Sequence, residues 1–560
     1  MRMLKFARVL VIGLTMLAVP AWSAPATVAW LRDGKVEVRS LSTGGAPAGI
    51  GASSSVPLGS LWKLFVYAYL IDTNATEVPY VCVSSRSAAQ DEERYCCEPG
   101  ESVQRDAALA RSCAPYFSPQ RLRISAPDWN RHWSTHGDLP WLRDLNALQP
   151  ETEVTLDQLL RALMDIPVAA RIAARTALLQ TGIEGYGRAA WPSLGAGIRY
   201  KTYSWHRKDG SAFGGAAGWL VDGTPFWFGA TGSSKTALAA WAAPLARSLP
   251  AVHWHEAGHA TGDASCVDVD FFARYPLRAV WQANASIPVR AGDLHGDYRL
   301  EFFNGNWLRI ASTGQLQLGI DADQIPRING RFTINDYVAR VVDREGNASS
   351  PQAARALAIS ARSYLFQNAS FESGCWHIAD SSRTQRVSPN AATDAALDAA
   401  WFTDDIILSG VAVRYHSESA APNRLAWRDA LTHARQGWDF ERILQDAYPD
   451  AQLATVDGHA ECRRLAAAET WLTHAIVTWR RRLNREPGFE DLERAPNVCA
   501  LSAGNPYSDQ QGLRIYVRGW QSVDERITLA HEYLHLSLRF HPNGVDEAFI
   551  ERLARQLIES

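Results

Sequence analysis

The order of apolar and polar residues predicts both strands and helices along the chain. Apolar and polar residues alternate at 27–38 and within 297–320, and this period of two predicts β-strands. A short run at 513–518 predicts a further strand. Helical or unbroken apolar sequence marks the segments after Ser60, from Pro351, around His531, and over 465–483 and 545–558. The pattern therefore predicts an α+β protein.

The first segment, 1–23, has the features of a secretory signal peptide. A basic start leads into the apolar run Val9–Val19, and the small-x-small sequence Ala21-Trp22-Ser23 follows. The run is too short to cross a bilayer, and no later run is long enough. We therefore expect a mature chain that begins near Ala24, has no transmembrane segment and is periplasmic or secreted.

Length, charge and cysteine content indicate the number of domains, the kind of partner and the cellular compartment. A chain of 560 residues is too long for one ordinary core, so about three domains are expected. The net charge of −3 and the absence of a basic run give no reason to expect a nucleic-acid partner. All eight cysteines follow the signal peptide, which fits an oxidising compartment. The disulfide candidates, with pairing left open, are the cluster Cys82, Cys96, Cys97 and Cys113, and the pair Cys462 and Cys499.

Three short motifs containing serine or lysine follow one another in residues 24–250. Ser60 lies one helical turn before Lys63, whose amine could lower the proton affinity of the hydroxyl. Ser112-Cys113-Ala114 and Lys201-Thr202-Tyr203 come next, followed by a stretch similar to paired antiparallel strands. In order and spacing these motifs resemble those of the penicillin-binding-protein and serine β-lactamase family, which implies an α+β domain.

That resemblance implies an acyl-transfer site in this domain. The implied residues are a nucleophile, its base, a proton relay and two residues that bind a substrate carboxylate: Ser60, Lys63, Ser112, Lys201 and Thr202. Two positions depart from the motifs, because Ala114 replaces an asparagine and Tyr203 replaces a glycine. The tyrosine is expected to crowd the strand edge where a peptide substrate lies. The alternative is a module that binds peptidoglycan peptides or is structural.

The middle of the chain, 285–455, carries several motifs around one glutamate. They are the stretch from Tyr337 to Glu345, the helix predicted from Pro351, Asp380–Gln385, Tyr415-His416-Ser417 and 437–449. Together they resemble the stage II sporulation protein D (SpoIID) family, or amidase enhancers, whose members include secreted lytic enzymes that act on peptidoglycan glycan strands. The resemblance implies a mixed, β-rich domain.

By this resemblance Glu345 is the general acid/base that protonates the glycosidic oxygen, a role that needs a carboxyl group with a raised pKa. The residues implied to line the sugar cleft are Arg362, Gln385 and Tyr415. The usual Met-Pro after the glutamate is Gly346-Asn347 here, and a later Gly-Gly is Ala420-Ala421, so the loop that shapes the cleft differs. The alternative for Glu345 is a solvated charge at a helix end.

A His-Glu-x-x-His pattern lies near the end of the chain. His531 and His535 are one turn apart on one face of the predicted helix, so both can reach one Zn²⁺, with Glu532 as general base and Tyr533 as a possible oxyanion donor. The order helix, strand, active-site helix resembles that of zincin peptidases. The alternative is a buried helix with satisfied histidines. The same pattern at 255–259 contains an internal glycine and precedes a strand-like run, so a polar loop is expected there.

A zinc peptidase needs a third protein ligand, and we prefer Glu547. A turn at 541–544 would bring the helix over 545–558 back beside His535, and its first turn resembles the Asn-Glu-Gly-Phe-Ala segment of gluzincins. His541 occupies the third-ligand position of metzincins, but Leu538 replaces the glycine that turns the chain there. The remaining alternatives are Asp546 and Glu551.

The expected organisation is a multidomain α+β chain: signal peptide 1–23, β-lactamase-like domain 24–250, linker or β segment 251–284, SpoIID-like domain 285–455 and small zincin-like domain 456–560. The whole chain also resembles an uncharacterised family of secreted bacterial proteins encoded beside bacterial α2-macroglobulin genes, which implies such a neighbour as a partner.

The preferred function is zinc-dependent peptide-bond hydrolysis in the cell envelope, with a middle domain that holds or cuts peptidoglycan glycan. One alternative is a lytic glycosidase whose terminal domain is structural. The other is a non-enzymatic peptidoglycan-binding scaffold.

Overall fold

The structure is a computed structural model. It describes residues 26–41, 50–82, 96–97, 100, 102–183, 185–206, 210–250, 266–411, 413–416, 424–449, 451–456, 464–492, 494–500, 506–509, 513–544 and 546–559. The predicted signal peptide and the pattern at 255–259 lie outside these residues. Among the described helices, none has the length and apolar character needed to cross a membrane.

The first region, residues 26–250, is built on a five-stranded antiparallel sheet. The strands of the whole region are β1 Thr27–Arg32, β2 Lys35–Ser40, β3 Ser55–Pro57, β4 Tyr80–Val81, β5 Ser102–Val103, β6 Glu153–Thr155, β7 Arg199–His206, β8 Ala212–Trp219 and β9 Pro225–Thr231. Its helices are α1 Trp62–Asp72, α2 Arg105–Ala110, α3 Pro119–Leu122, α4 Ala126–Ser134, α5 Pro140–Arg143, α6 Leu156–Asp165, α7 Val168–Ile183, α8 Trp191–Leu194 and α9 Ser234–Ser248.

The order of this sheet is β2-β1-β9-β8-β7, and apolar side chains cover both of its faces. Alternate residues of β1 enter two different cores: Ala29 and Leu31 pack with α1, α6 and α7, whereas Val28 and Trp30 pack with α9. Because both faces are buried, the strands of this sheet are apolar with little alternation. Strand β7 is the edge strand and lies beside the turn that contains Ser60.

The middle region, residues 266–456, contains a seven-stranded sheet of order β11-β12-β13-β14-β10-β16-β15 and two smaller strand pairs. The strands are β10 Cys266–Phe271, β11 Leu277–Gln282, β12 Gly292–Phe302, β13 Trp307–Ile320, β14 Pro326–Thr333, β15 Ser370–Glu372, β16 Cys375–Ala379, β17 Ile406–Ser409, β18 Arg414–His416, β19 Arg424–Ala426 and β20 Gln452–Thr455. The helices are α10 Ile334–Glu345, α11 Pro351–Asn368, α12 Asp394–Phe402, α13 Trp427–Arg435 and α14 Phe440–Ala447.

The segment 251–284, expected as a linker or β segment, contributes two strands to this sheet. β10 pairs with β14 and β16, and β11 pairs with β12. The described sheet therefore begins at Cys266, before the predicted boundary at 285. Helices α10 and α11 pack against it in one continuous core, and the alternation at 297–320 is that of β12 and β13.

The last region, residues 464–559, has three strands and three helices. They are β21 Asn497–Ala500, β22 Tyr507–Asp509 and β23 Arg514–Val517, with α15 Ala466–Leu483, α16 Val523–Ser537 and α17 Glu547–Glu559. The sheet order β21-β23-β22 makes β22 an edge strand. All three helices agree closely with the helical segments predicted from the sequence, as does β23.

The first and middle regions share part of one core. Trp191 and Val221 of the first region belong to the same apolar cluster as Phe402 and Phe440 of the middle region. Arg199, whose side chain is 3% exposed, donates to Asp404 across this boundary at 2.7 Å. The predicted boundary near 250 is therefore not a boundary between separate cores.

Three disulfides lie among the described residues: Cys82–Cys97, Cys96–Cys113 and Cys266–Cys375. The first two pair the predicted cluster of four cysteines. Cys499 is also disulfide-bonded, and Cys462, the other half of its predicted pair, lies outside the described residues.

Candidate functional site

His531, His535 and Glu547 converge at the junction of α16 and α17. The distances are 3.0 Å between the two histidine Nε2 atoms, 3.1 Å from His531 Nε2 to Glu547 Oε2 and 3.6 Å from His535 Nε2 to the same oxygen. The turn after α16 reverses the chain and sets the first residue of α17 against both imidazoles. Ligands about 2.1 Å from a tetrahedral zinc ion lie about 3.4 Å apart, so the observed spacing fits such an ion.

The other nitrogen of each imidazole faces a hydrogen-bond acceptor. His531 Nδ1 lies 3.1 Å from Glu551 Oε2, and His535 Nδ1 lies 3.2 Å from the carbonyl oxygen of Gly544. A carboxylate and a carbonyl can only accept, so each Nδ1 carries a proton, and in the neutral imidazoles each Nε2 presents its lone pair to Glu547. In that protonation state three acceptor atoms face one another, and a bound cation would satisfy all three. The residues present therefore fit Zn²⁺, which binds imidazole nitrogen and carboxylate oxygen.

The charges around this cluster keep Glu547 ionised. Contacts with His531 and His535, whose protonated rings can donate to it, hold the pKa of the Glu547 carboxyl group far below its usual range. Glu532 lies between the two histidines in sequence, is 8% exposed, contacts Ser508 of β22 and is close enough to His531 and His535 for their charges to lower its pKa. Burial raises the pKa of Glu532, which suits a carboxyl group that takes up and releases a proton.

His541, the alternative third ligand, does not join the cluster. Its ring stacks on Phe549 at 4.7 Å, and its Nδ1 accepts a hydrogen bond from the backbone of Asn543. Asp546 is also occupied elsewhere, since its carboxylate accepts from the first backbone amides of α17. The structure thus brings Glu547 to the two histidines and turns His541 and Asp546 away from them.

Glu345 forms a second candidate site at the C-terminal end of α10. Its Oε1 accepts a hydrogen bond from the backbone amide of Arg386 at 2.8 Å. The side chain is half-buried, and burial raises the pKa of its carboxyl group even though the contact with Arg386 lowers it. The alternative of a freely solvated charge does not describe this residue.

Gln385 and Tyr415 join a hydrogen-bonded group beside Glu345. The Gln385 amide accepts from Tyr337 Oη and donates to Tyr415 Oη and to the carbonyl oxygen of Ala361. Gln385 is fully buried, whereas Tyr415 is half-buried. Tyr415 is therefore the member of this pair with a surface that a ligand could touch.

The expected role of Arg362 in a sugar cleft is wrong. Its side chain is fully buried and donates to the carbonyl oxygens of Thr403 and Ala400 and to Asn335. These acceptors lie at the end of α12, and the guanidinium is not exposed to solvent. Arg362 therefore has a structural role, because it links α11 to the end of α12 in the core of the middle region.

Ser60, Lys63 and Ser112 meet as the motifs of the first region predict. Lys63 Nζ lies 3.0 Å from Ser60 Oγ, 3.1 Å from Ser112 Oγ and 2.8 Å from the Ser112 carbonyl oxygen. Ser112 has a φ of 61°, an uncommon backbone conformation for a residue other than glycine. All three side chains are at most 4% exposed.

Tyr203 covers this serine from the strand β7. A Cβ on Gly59 would lie 3.1 Å from Tyr203 Cβ, so the tyrosine packs directly on the turn that contains Ser60. Tyr203 Oη donates to the carbonyl oxygen of Phe228. Lys201 and Thr202 lie on the same strand, both buried, and Lys201 Nζ donates to the Thr202 carbonyl oxygen. Ser60, Lys63 and Ser112 are therefore in contact with one another but are buried from solvent.

Comparison with known proteins places the chain among secreted bacterial proteins. Residues 88–210 and 423–543 match the family described as "Predicted secreted protein (DUF2300)". The chain is 40% identical over 509 residues to "Uncharacterized protein YfaQ" of Escherichia coli (strain K12), which covers 90% of both chains. The chain belongs to the same family as YfaQ. It is a secreted or periplasmic protein.

Three further similarities concern parts of this YfaQ-family chain. Residues 324–407 match the "Stage II sporulation protein" family (SpoIID), which confirms the predicted SpoIID domain. A β-lactamase structure from Desulfarculus baarsii is similar with a TM-score of 0.27 and 15% identity, over 41% of this chain and 93% of that one. The transpeptidase domain of FtsI4 D,D-transpeptidase from Legionella pneumophila gives 0.27 and 13%, over 40% and 88%.

The structure gives one candidate residue a different role and adds another. Glu551, an alternative third ligand in the sequence analysis, contacts Nδ1 of His531 and does not join His531, His535 and Glu547 as a ligand. Arg414 lies 3.4 Å from the second oxygen of Glu547, across the boundary between the middle and last regions. Nothing in the local sequence around Arg414 pointed to that contact.

Proposed function

We propose that this protein is a zinc-dependent peptidase of the bacterial cell envelope. One observation carries the proposal: His531, His535 and Glu547 direct three acceptor atoms at one another, while Glu551 and the Gly544 carbonyl hold the imidazoles from behind. In the neutral imidazoles these three atoms are all acceptors, which a bound cation would satisfy. Such preorganisation is typical of metal ligands.

The surrounding residues suit the hydrolysis of a peptide bond. A zinc ion in this site would polarise a scissile carbonyl and acidify a water molecule. Glu532, with its raised pKa, is the residue that would take up a proton as general base and return it to a leaving amine. Strand β22, which carries Ser508 beside Glu532, is the edge strand of its described sheet, and an extended peptide can add to such an edge by backbone hydrogen bonds.

The middle region points to peptidoglycan as the substrate. Its SpoIID match supports a role in the cell envelope, and Arg414 of β18, next to Tyr415, reaches Glu547 of the metal cluster. The candidate glycan site and the candidate peptidase site are thereby adjacent. A wall fragment could place its sugar against Tyr415 and its stem peptide along β22.

The proposal is tested with the secreted chain and purified peptidoglycan. Wild type is expected to release new amino groups from the wall peptides, and chelation of zinc is expected to abolish the release. Glu532→Gln should lower the rate about 100-fold or more while zinc stays bound, because the general base is lost and the ligands are not. Glu559→Gln, the same change at an exposed carboxylate of α17, is the matched control.

No release from wall peptides or from a casein substrate by zinc-loaded wild type would contradict the proposal. So would a Glu532→Gln variant as active as the Glu559→Gln control.

A second candidate function, cleavage of glycan strands, is favoured by Glu345. This carboxyl group is half-buried, its pKa is raised by burial, and a backbone amide holds it in place, as a general acid requires. Sugar fragments released by wild type, lost in Glu345→Gln and unaffected by a zinc chelator would support it. Release that persists in Glu345→Gln would remove this candidate.

A further inference from the structure

A second group of metal-binding side chains lies in the first region, far along the sequence from the α16 cluster. Asp72 is the last residue of α1, His132 lies in the last turn of α4, and His136 follows the end of that helix. One ligand atom of each of the three lies within 4.8 Å of the others. The closest contacts of Asp72 Oδ2 are His136 Nε2 at 3.4 Å and His132 Nδ1 at 3.7 Å.

The two imidazoles lack the partners that a structural histidine normally has. Among the described residues, neither ring forms a hydrogen bond with Asp72, although both face it. His132 is only 8% exposed in its side chain, and its buried Nε2 has no hydrogen-bond partner within the part of the chain that the structure describes. The nitrogen that faces Asp72 is Nδ1, so an ion between them would be bound by Nδ1, and Nε2 would carry the ring proton.

Packing fixes the two rings without any ligand present. His132 lies edge-on against Tyr69 and Trp133, with ring centroids 5.0 and 4.9 Å away, and its centroid is 4.7 Å from that of His136. The three possible ligands therefore come from the end of α1, from α4 and from the residues just after α4. Small side-chain movements would bring them to the spacing of a tetrahedral ion.

We propose that Asp72, His132 and His136 bind a divalent first-row transition ion, with Zn²⁺ as the occupant. Two imidazole nitrogens and one carboxylate oxygen form a donor set that suits zinc and is a poor match for Ca²⁺ or Mg²⁺, which prefer oxygen alone. His136 and Asp72 are 28% and 30% exposed, so an ion can reach the site from solvent. Asp165, whose charge acts on His136, adds a further negative group close by.

The ion would join the C-terminal end of α1 to α4. Helix α1 begins directly after Ser60 and carries Lys63 in its first turn, so its placement sets the geometry of the serine group. The proposed ion would therefore have a structural role in the first region, where it would hold α1 and α4 together. It stands apart from the proposed peptidase and does not depend on it.

The test measures zinc bound per chain by mass spectrometry after removal of free metal. In the full chain with His535→Ala, which removes a ligand of the α16 cluster, about one zinc is expected to remain. Adding His136→Ala or, separately, Asp72→Asn should reduce that to near zero. His474→Ala, which removes an exposed histidine outside both clusters, is the matched control and should change nothing.

Cobalt substitution gives a second readout that does not use activity. The His535→Ala chain loaded with Co²⁺ should show the visible absorption of a nitrogen- and oxygen-ligated ion, and His136→Ala should remove it while the circular dichroism spectrum is retained. Zinc in His535→Ala that is insensitive to both His136→Ala and Asp72→Asn would overturn the proposal, as would no zinc at all. A chain that loses its only zinc in His136→Ala and not in His535→Ala would uphold this site and overturn the peptidase.

Discussion

The imidazole of His531 is held from behind by Glu551, and this contact is expected to control zinc affinity. Glu551 Oε2 accepts from His531 Nδ1 at 3.1 Å and so fixes both the tautomer and the orientation of the ring. Glu551→Ala should weaken zinc binding at the α16 cluster about 10- to 100-fold, measured by competition with a chromophoric chelator. Glu559→Gln should leave the affinity unchanged, and equal affinities for the two variants would refute this role.

Glu345 makes stability depend on pH. Burial raises its pKa in the folded protein above the ordinary value. A carboxyl group with a raised folded pKa favours folding while it is protonated, and that contribution is lost as pH rises through the folded pKa. Glu345→Gln cannot ionise, so its melting temperature relative to wild type should be higher at about pH 8 than at about pH 4. The same difference at both pH values would show that the folded carboxyl group is not perturbed.

Single residues were predictable from the sequence where one helix fixes their spacing. His531 and His535 follow from the helical period, and Glu547 follows from a turn that returns the next helix. The role of Arg362 was not predictable in this way, because its burial depends on carbonyl oxygens of α12 and the residues after it, far away in sequence. The tautomers of His531 and His535 were also not predictable, because they depend on contacts with Glu551 and Gly544 across the turn between α16 and α17.

At the level of elements, the edge strand β7 explains why the serine group of the first region is closed. Tyr203 packs on Gly59, and Ser60 is 2% exposed. A fluorescent penicillin is therefore expected to leave the wild-type chain unlabelled, as seen by gel fluorescence under conditions that label an active penicillin-binding protein. A stoichiometric label that disappears in Ser60→Ala would contradict this explanation.

Helices were predicted more accurately than the arrangement of sheets. Local signals such as Pro351 at the start of α11 and the Ser522–Glu525 capping box before α16 mark helix ends in the sequence. Sheet membership depends on pairing between distant segments, such as β10 with β14 and β16. This is why 251–284 was expected as a linker or β segment although β10 lies inside the seven-stranded sheet.

At the level of the whole molecule, the first two regions are coupled by a buried ion pair. Arg199 and Asp404 are 3% and 14% exposed in their side chains. Arg199→Ala leaves the Asp404 carboxylate with its hydrogen bond from Asn335 and without a paired cation, and it should lower the free energy of unfolding by about 3 kcal/mol, measured by urea denaturation. Arg188→Ala removes the more exposed pair with Glu441 and should cost at most about 1 kcal/mol. Equal effects would show that this boundary is not a shared core.

The central claim is that His531, His535 and Glu547 bind zinc, and an anomalous difference map at the zinc edge tests it most directly. Crystals of the secreted chain grown with zinc are expected to show a peak about 2.1 Å from Nε2 of both histidines and from a Glu547 oxygen. The peak should be absent in crystals of His535→Ala. A map with no peak at this position, in crystals of wild type soaked with excess zinc, would contradict the account.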